Sequence, residues 1–120
     1  MDRNNPHVGG LYDELHPAVL KALVMVVEGA DKLNCPVSVC GEMAGNPMAA
    51  VLLLGMGIEG LSMSAGSLLK IKWVIRSFSR SRARQLLQAA LRMEDVSQVK
   101  LLMQGAFNDM GLAGLVHPAK

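Results

Sequence analysis

The feature that most constrains this chain is a change of hydrophobic period at residues 34–36. Up to that point Val19, Leu20, Leu23, Val24, Val27, Ala30 and Leu33 recur every three or four residues, which predicts one apolar face of a helix. From Pro36 the pattern alternates, Pro36-Val37-Ser38-Val39-Cys40, and Gly41 ends it. That predicts a strand over 36–40, with Val37 and Val39 on one face and Ser38 and Cys40 on the other. Asn46-Pro47 then opens a second helix, with Asn46 as cap and Pro47 at its first position. Met48 to Gly55 fill it, and Gly55 and Gly57 bring the chain out. Leu61-Ser62-Met63-Ser64 alternates again, as a second strand. Strand, helix and strand in this order form a βαβ unit, which predicts parallel strands and a right-handed crossover. Two strands do not make a stable sheet alone, and a parallel sheet needs both faces covered. The pattern therefore reads as part of a larger α/β unit, or as one partner of an assembly.

The rest of the chain reads as helix. His16-Pro17 starts the first helix, over 17–33, and Asn34 stops it. Gly66-Ser67 leads into a third helix from Leu68 to Phe78. Serines interleaved with arginines mark a break, and Ser79 or Ser81 caps a helix over 82–93. A last helix runs about 95–108. Residues 1–10 read as a loop and 111–120 as a tail, and no repeat of fixed period occurs.

Composition narrows the classes. The chain has 120 residues, 51% hydrophobic and 18% charged, which excludes a disordered chain. Its longest unbroken apolar run, Met48 to Leu54, is far short of the roughly 20 residues of a membrane span. No basic-then-apolar start resembles a signal peptide, and two cysteines make no disulfide framework. A cytoplasmic protein with no membrane partner is expected. Net charge is +2 but uneven: residues 1–60 carry three cations against seven acids, −4, and residues 61–120 carry nine against three, +6. Such a bias reads either as a solvated helix face or as a site for an anionic partner. Only four aromatics occur, Tyr12, Trp73, Phe78 and Phe107, too few for nucleic-acid stacking platforms, so no nucleic-acid partner is expected.

Cys40-Gly41-Glu42-Met43-Ala44-Gly45 is the sharpest local feature: a thiol where a strand gives way to a glycine-rich loop. Ligands in α/β folds bind outside the carboxyl ends of strands. On spacing alone Cys40 is either such a site residue or a small buried hydrophobe. Cys35, at the other end of the strand, reads as structural. Arg3 lies in a loop and either clamps an anion through its planar fork or pairs with Asp2. His7, His16 and His117 have no metal-ligand spacing, and neither a phosphate loop nor a dinucleotide fingerprint occurs.

Six ordered segments carry a resemblance. They are Asp2-Arg3-Asn4-Asn5, Leu11-Tyr12-Asp13, Leu15-His16-Pro17-Ala18-Val19-Leu20, Cys40-Gly41-Glu42-Met43-Ala44-Gly45, Leu52-Leu53-Leu54-Gly55-Met56-Gly57 and Leu61-Ser62-Met63-Ser64. Together they resemble the C-terminal part of the phosphoenolpyruvate-protein phosphotransferases, enzyme I of the bacterial phosphotransferase system. Ser64 to Arg76 and the Gly-Leu-Ala-Gly-Leu ending are most similar to the nitrogen-branch enzyme I. The resemblance implies an α/β fold: the last two strands of a (β/α)₈ TIM barrel with their helices over 1–78, then a C-terminal helical extension over 79–120. It implies that Cys40 is the proton donor that turns the enolate into pyruvate and that Arg3 binds the substrate phosphate. It further implies phosphoenolpyruvate as substrate, an HPr-like phosphocarrier docking through a missing N-terminal part, a homodimer, and Mg²⁺ as cofactor. The phosphohistidine domain and the Mg²⁺ carboxylates are absent from these 120 residues, so this chain alone is expected to be catalytically incomplete. The alternatives are a non-catalytic dimerisation or interaction module, and an anion-binding module built on the basic helices.

Overall fold

The computed structural model describes residues 14–40, 45–58, 60–62, 65–112 and 114. Helix α1, Pro17–Lys32, begins where His16 Nδ1 accepts the Ala18 N–H at 3.0 Å, with Pro17 in the first turn. It buries Leu20 and Val27 and rests Leu23 and Val24 against the same core. Leu33 ends it, and Asn34 turns the chain with a positive φ of 55°, a conformation asparagine tolerates better than most residues.

Strand β1 is Ser38–Cys40, and strand β2 is Gly60–Ser62. They pair in parallel, with Ser38 opposite Gly60, Val39 opposite Leu61 and Cys40 opposite Ser62. A Cβ at Gly60 would sit 2.7 Å from the Ser38 Cβ, so the pair closes only because position 60 has no side chain.

Between the strands lies α2, Pro47–Met56. Every residue from Pro47 to Leu53 is buried; a helix apolar on all sides belongs inside a core. Its carboxyl end is closed by Gly57 at φ 88°, where the Gly57 N–H donates to Leu54 and the Ile58 N–H to Leu53. Helix α3, Ala65–Ser77, buries Ile71 and Val74, and Phe78 follows into the core. Helix α4, Arg80–Leu91, is capped by Ser79 Oγ, which accepts the Arg82 N–H at 3.0 Å. It lies directly on α2 with Ala83, Leu86, Leu87 and Ala90 inward. Helix α5, Val96–Asp109, turns Val99, Met103, Ala106 and Phe107 inward. The Phe107 ring meets Phe78 at 5.2 Å between centroids.

The expected fold class, an α/β part of a (β/α)₈ barrel, is corrected here. The described structure is a helical assembly: five helices carry the core, and each strand is three residues long. All the buried side chains described lie on helices or on the turns beside them. A barrel core is built in layers of side chains from eight strands. Here α2, apolar all round, is packed by α3 and α4, and α1 and α5 pack in turn against α4. Element boundaries also shift. The strand expected over 36–40 begins at Ser38, and the third helix begins at Ala65 rather than Leu68. The segment expected as a helical extension, 79–120, contributes α4 and α5 to the same hydrophobic cluster, which runs from Leu15 to Leu112. Among the described residues, no helix is long and apolar enough to cross a membrane.

Candidate functional site

The short strand pair sets the site. Cys40 is the last residue of β1 and stands opposite Ser62, the last of β2, so its backbone lies at the carboxyl end of both strands. Six residues further on, Asn46 caps α2: its Oδ1 accepts the N–H of Met48 at 3.0 Å and of Ala49 at 3.4 Å. Asn46 also reaches outward, its Nδ2 donating to Glu14 Oε1 at 3.0 Å in a part-buried bond. The Glu14 carboxylate thus sits near the amino end of α2, where the helix dipole favours negative charge. Glu14 follows the segment that carries Arg3, and Asn46 follows the loop after Cys40. Arg3, and the Gly41–Ala44 loop with Glu42, lie outside the described residues.

Cys35 is exposed, which corrects its expected role as a structural cysteine. It lies at the opposite end of the strand pair from Cys40. There Asp31, Asn34, Cys35, Pro36, Val37 and Ser38 line a cavity of about 560 Å³. Leu33 and Asn34 end α1, and Cys35, Pro36 and Val37 connect it to β1. His16 is a helix cap and His7 and His117 lie outside the described residues. Among the described residues no three His, Cys, Asp or Glu side chains come together as a metal site. Lys72, Arg76, Arg80, Arg82, Arg84 and Arg92 are all exposed, a solvated basic surface.

The contact that the sequence pattern missed is that of Glu14 with Asn46. It stands 32 positions from Asn46 in a stretch with no hydrophobic period, and no local signal pairs the two. The Asn46-Pro47 signature was legible as a cap, but its second hydrogen bond belongs to tertiary structure.

In α/β folds ligands bind outside the carboxyl ends of parallel strands, which is where the Cys40 backbone lies. The family described as "PEP-utilising enzyme, PEP-binding domain" matches residues 1–80, and the chain belongs to that family. The chain is also similar to longer proteins. A Salmonella typhimurium protein named "Phosphoenolpyruvate-dependent phosphotransferase system" is 35% identical over 116 residues, 97% of this chain and 16% of that protein. Its Escherichia coli counterpart matches to the same extent, 35% over 116 residues. A Mycoplasma pneumoniae "Phosphoenolpyruvate-protein phosphotransferase" is 38% identical over 106 residues, 88% of this chain and 18% of that protein. The chain thus spans about one-sixth of the length of these relatives.

Proposed function

We propose that this chain is the phosphoenolpyruvate-binding part of a phosphoenolpyruvate-protein phosphotransferase, with Cys40 as proton donor and Arg3 as phosphate anchor. The observation that carries this reading is the family match over residues 1–80, which contains both residues. The strand register supports it, since the Cys40 backbone lies at a strand's carboxyl end. In the reaction, the bond between phosphorus and the enol oxygen breaks as the phosphoryl group passes to a histidine outside these 120 residues. The electron pair stays on the departing oxygen as an enolate. The Cys40 S–H gives its proton to the methylene carbon, pyruvate forms, and solvent reprotonates the thiolate. A thiol with a reference pKa of about 8.5 is mostly protonated near neutral pH and so can act as this acid. Arg3 would hold two phosphate oxygens with parallel N–H donors. Mg²⁺ would neutralise phosphate charge during transfer, held by residues elsewhere in the longer protein. The onward acceptor is an HPr-like phosphocarrier.

The test is alkylation of the natural protein, read by mass spectrometry, with and without phosphoenolpyruvate. Cys35 is exposed and serves as the internal reference. Phosphoenolpyruvate should slow labelling of Cys40 and leave Cys35 unchanged, and Cys40→Ser should lower pyruvate release by about 10²-fold or more, as loss of a general acid does. Wild-type pyruvate release by Cys40→Ser would overturn the reading.

A second reading, self-association without catalysis, draws on α3, where Leu69 is 79% and Trp73 60% exposed. Sedimentation of the natural protein as a monomer at micromolar concentration would remove it.

A further inference from the structure

We propose that the outward face of α3 docks on an anionic lipid surface, so that the protein lies on a membrane without spanning it. Leu69, Lys72, Trp73 and Arg76 lie in α3 at spacings of three and four residues, which puts them on one face. All four are exposed, Leu69 by 79% and Trp73 by 60%. Ile71 and Val74 fix the other side of the helix in the core, so the outward row stands on a firm platform. An indole favours the boundary between water and an apolar phase, and a leucine beside it adds apolar area. Lys72 and Arg76 then stand at the level where lipid phosphates would be. Their charge has no local answer. From Gly60 to Met93 the sequence holds seven Lys or Arg and no Asp or Glu, so no residue one helical turn from either cation is acidic.

Charge selects this occupant over two others. A second copy meeting the face about a twofold axis would set Lys72 and Arg76 against their own kind. A protein partner is read through charges of both signs, which fix its register, and this stretch offers one sign only. A plane of anionic head groups asks for no register and attracts every cation that reaches it. The expectation of no membrane partner came from the lack of a membrane span, and a helix that lies on a surface needs none. The proposal is independent of the phosphoryl chemistry proposed above.

The experiment is co-sedimentation of the natural protein with vesicles of phosphatidylcholine, with or without phosphatidylglycerol, at low and high salt. Vesicles with phosphatidylglycerol should carry the protein down at low salt, and salt should release it, as screening requires. Vesicles of phosphatidylcholine alone should leave it in solution. The emission of Trp73, taken as the difference between wild type and Trp73→Phe, should move to shorter wavelength on binding as the indole leaves water. Lys72→Ser with Arg76→Ser should weaken binding about 25-fold, on a scale of about fivefold per cation. Lys21→Ser with Lys32→Ser removes two exposed cations from α1 instead, the same change in net charge, and should leave affinity within about twofold of wild type. These positions are exposed, so thermal midpoints should stay together. Equal losses in the two double variants would mean binding by net charge alone and would overturn the surface. So would no sedimentation with phosphatidylglycerol, equal sedimentation with phosphatidylcholine alone, or an unmoved Trp73 emission. A Trp73 shift with polyglutamate but not with vesicles would assign the face to an acidic protein and overturn the lipid proposal as well.

Discussion

Two glycines at helical positions show how the same residue serves opposite ends. A Cβ on Gly55 would stand 2.6 Å from the Ala83 carbonyl oxygen and 2.9 Å from its carbon. Backbone cannot move aside as a flexible side chain can, so α2 and α4 touch here only because position 55 is bare. Gly55→Ala should cost about 1–3 kcal/mol, as forced overpacking does. Gly105 lies exposed in α5 with nothing within 4 Å of a built Cβ. Gly105→Ala should stabilise by roughly 0.5–1 kcal/mol through helix propensity. Urea midpoints of the two variants should move in opposite directions, and a stabilised Gly55→Ala would contradict the close approach. Asn46→Ala should cost about 1–2 kcal/mol on the same assay, since it leaves two amide donors of α2 without their cap. Gly55 was readable in the sequence as the end of a helix. Its close contact was not, because Ala83 lies 28 positions away and only packing brings it near.

Elements were legible where their start and stop signals are local. His16-Pro17, Asn46-Pro47, Ser79 and Gly57 each do in the structure what their chemistry predicts. Helix α5 adds a signal of the same kind: Asp95 Oδ1 accepts the Gln98 N–H at 3.0 Å while Gln98 Oε1 accepts the amides of Glu94 and Asp95. This capping box is written in the sequence as Asp-x-x-Gln. At its far end Gly111, at φ 72°, lets the Leu112 N–H bond Phe107 at 2.8 Å, and Leu112 is buried. Asp95→Ala should cost about 1 kcal/mol in the urea midpoint, while Asp95→Asn, which keeps an oxygen acceptor, should cost much less. The strands were less legible. Alternation over 36–40 predicted a longer strand than Ser38–Cys40, and of the expected 61–64 strand residues 63–64 lie outside the described residues. Alternating side chains state a preference for extended backbone, but how far pairing runs depends on the partner strand.

At the scale of the molecule, one hydrophobic cluster runs from Leu15 to Leu112. The radius of gyration, 14.1 Å, is near the ~14 Å expected for a single compact unit of this length. Thermal unfolding should therefore show one cooperative transition by circular dichroism and by Trp73 fluorescence alike. Two resolved transitions would mean that residues 79–120 hold together apart from the rest. The sequence by itself determined the helices, their caps and the family, because periodicity, capping and ordered motifs are short-range and survive without a fold. It also placed the candidate thiol at the end of a strand. Tertiary structure alone decided the architecture, since the choice between a sheet-centred and a helix-centred core depends on which apolar surface is buried most completely. Here that is α2, buried along its length from Pro47 to Leu53. It alone decided that Cys35 faces solvent and that Glu14 reaches Asn46, because both follow from where distant segments come to rest.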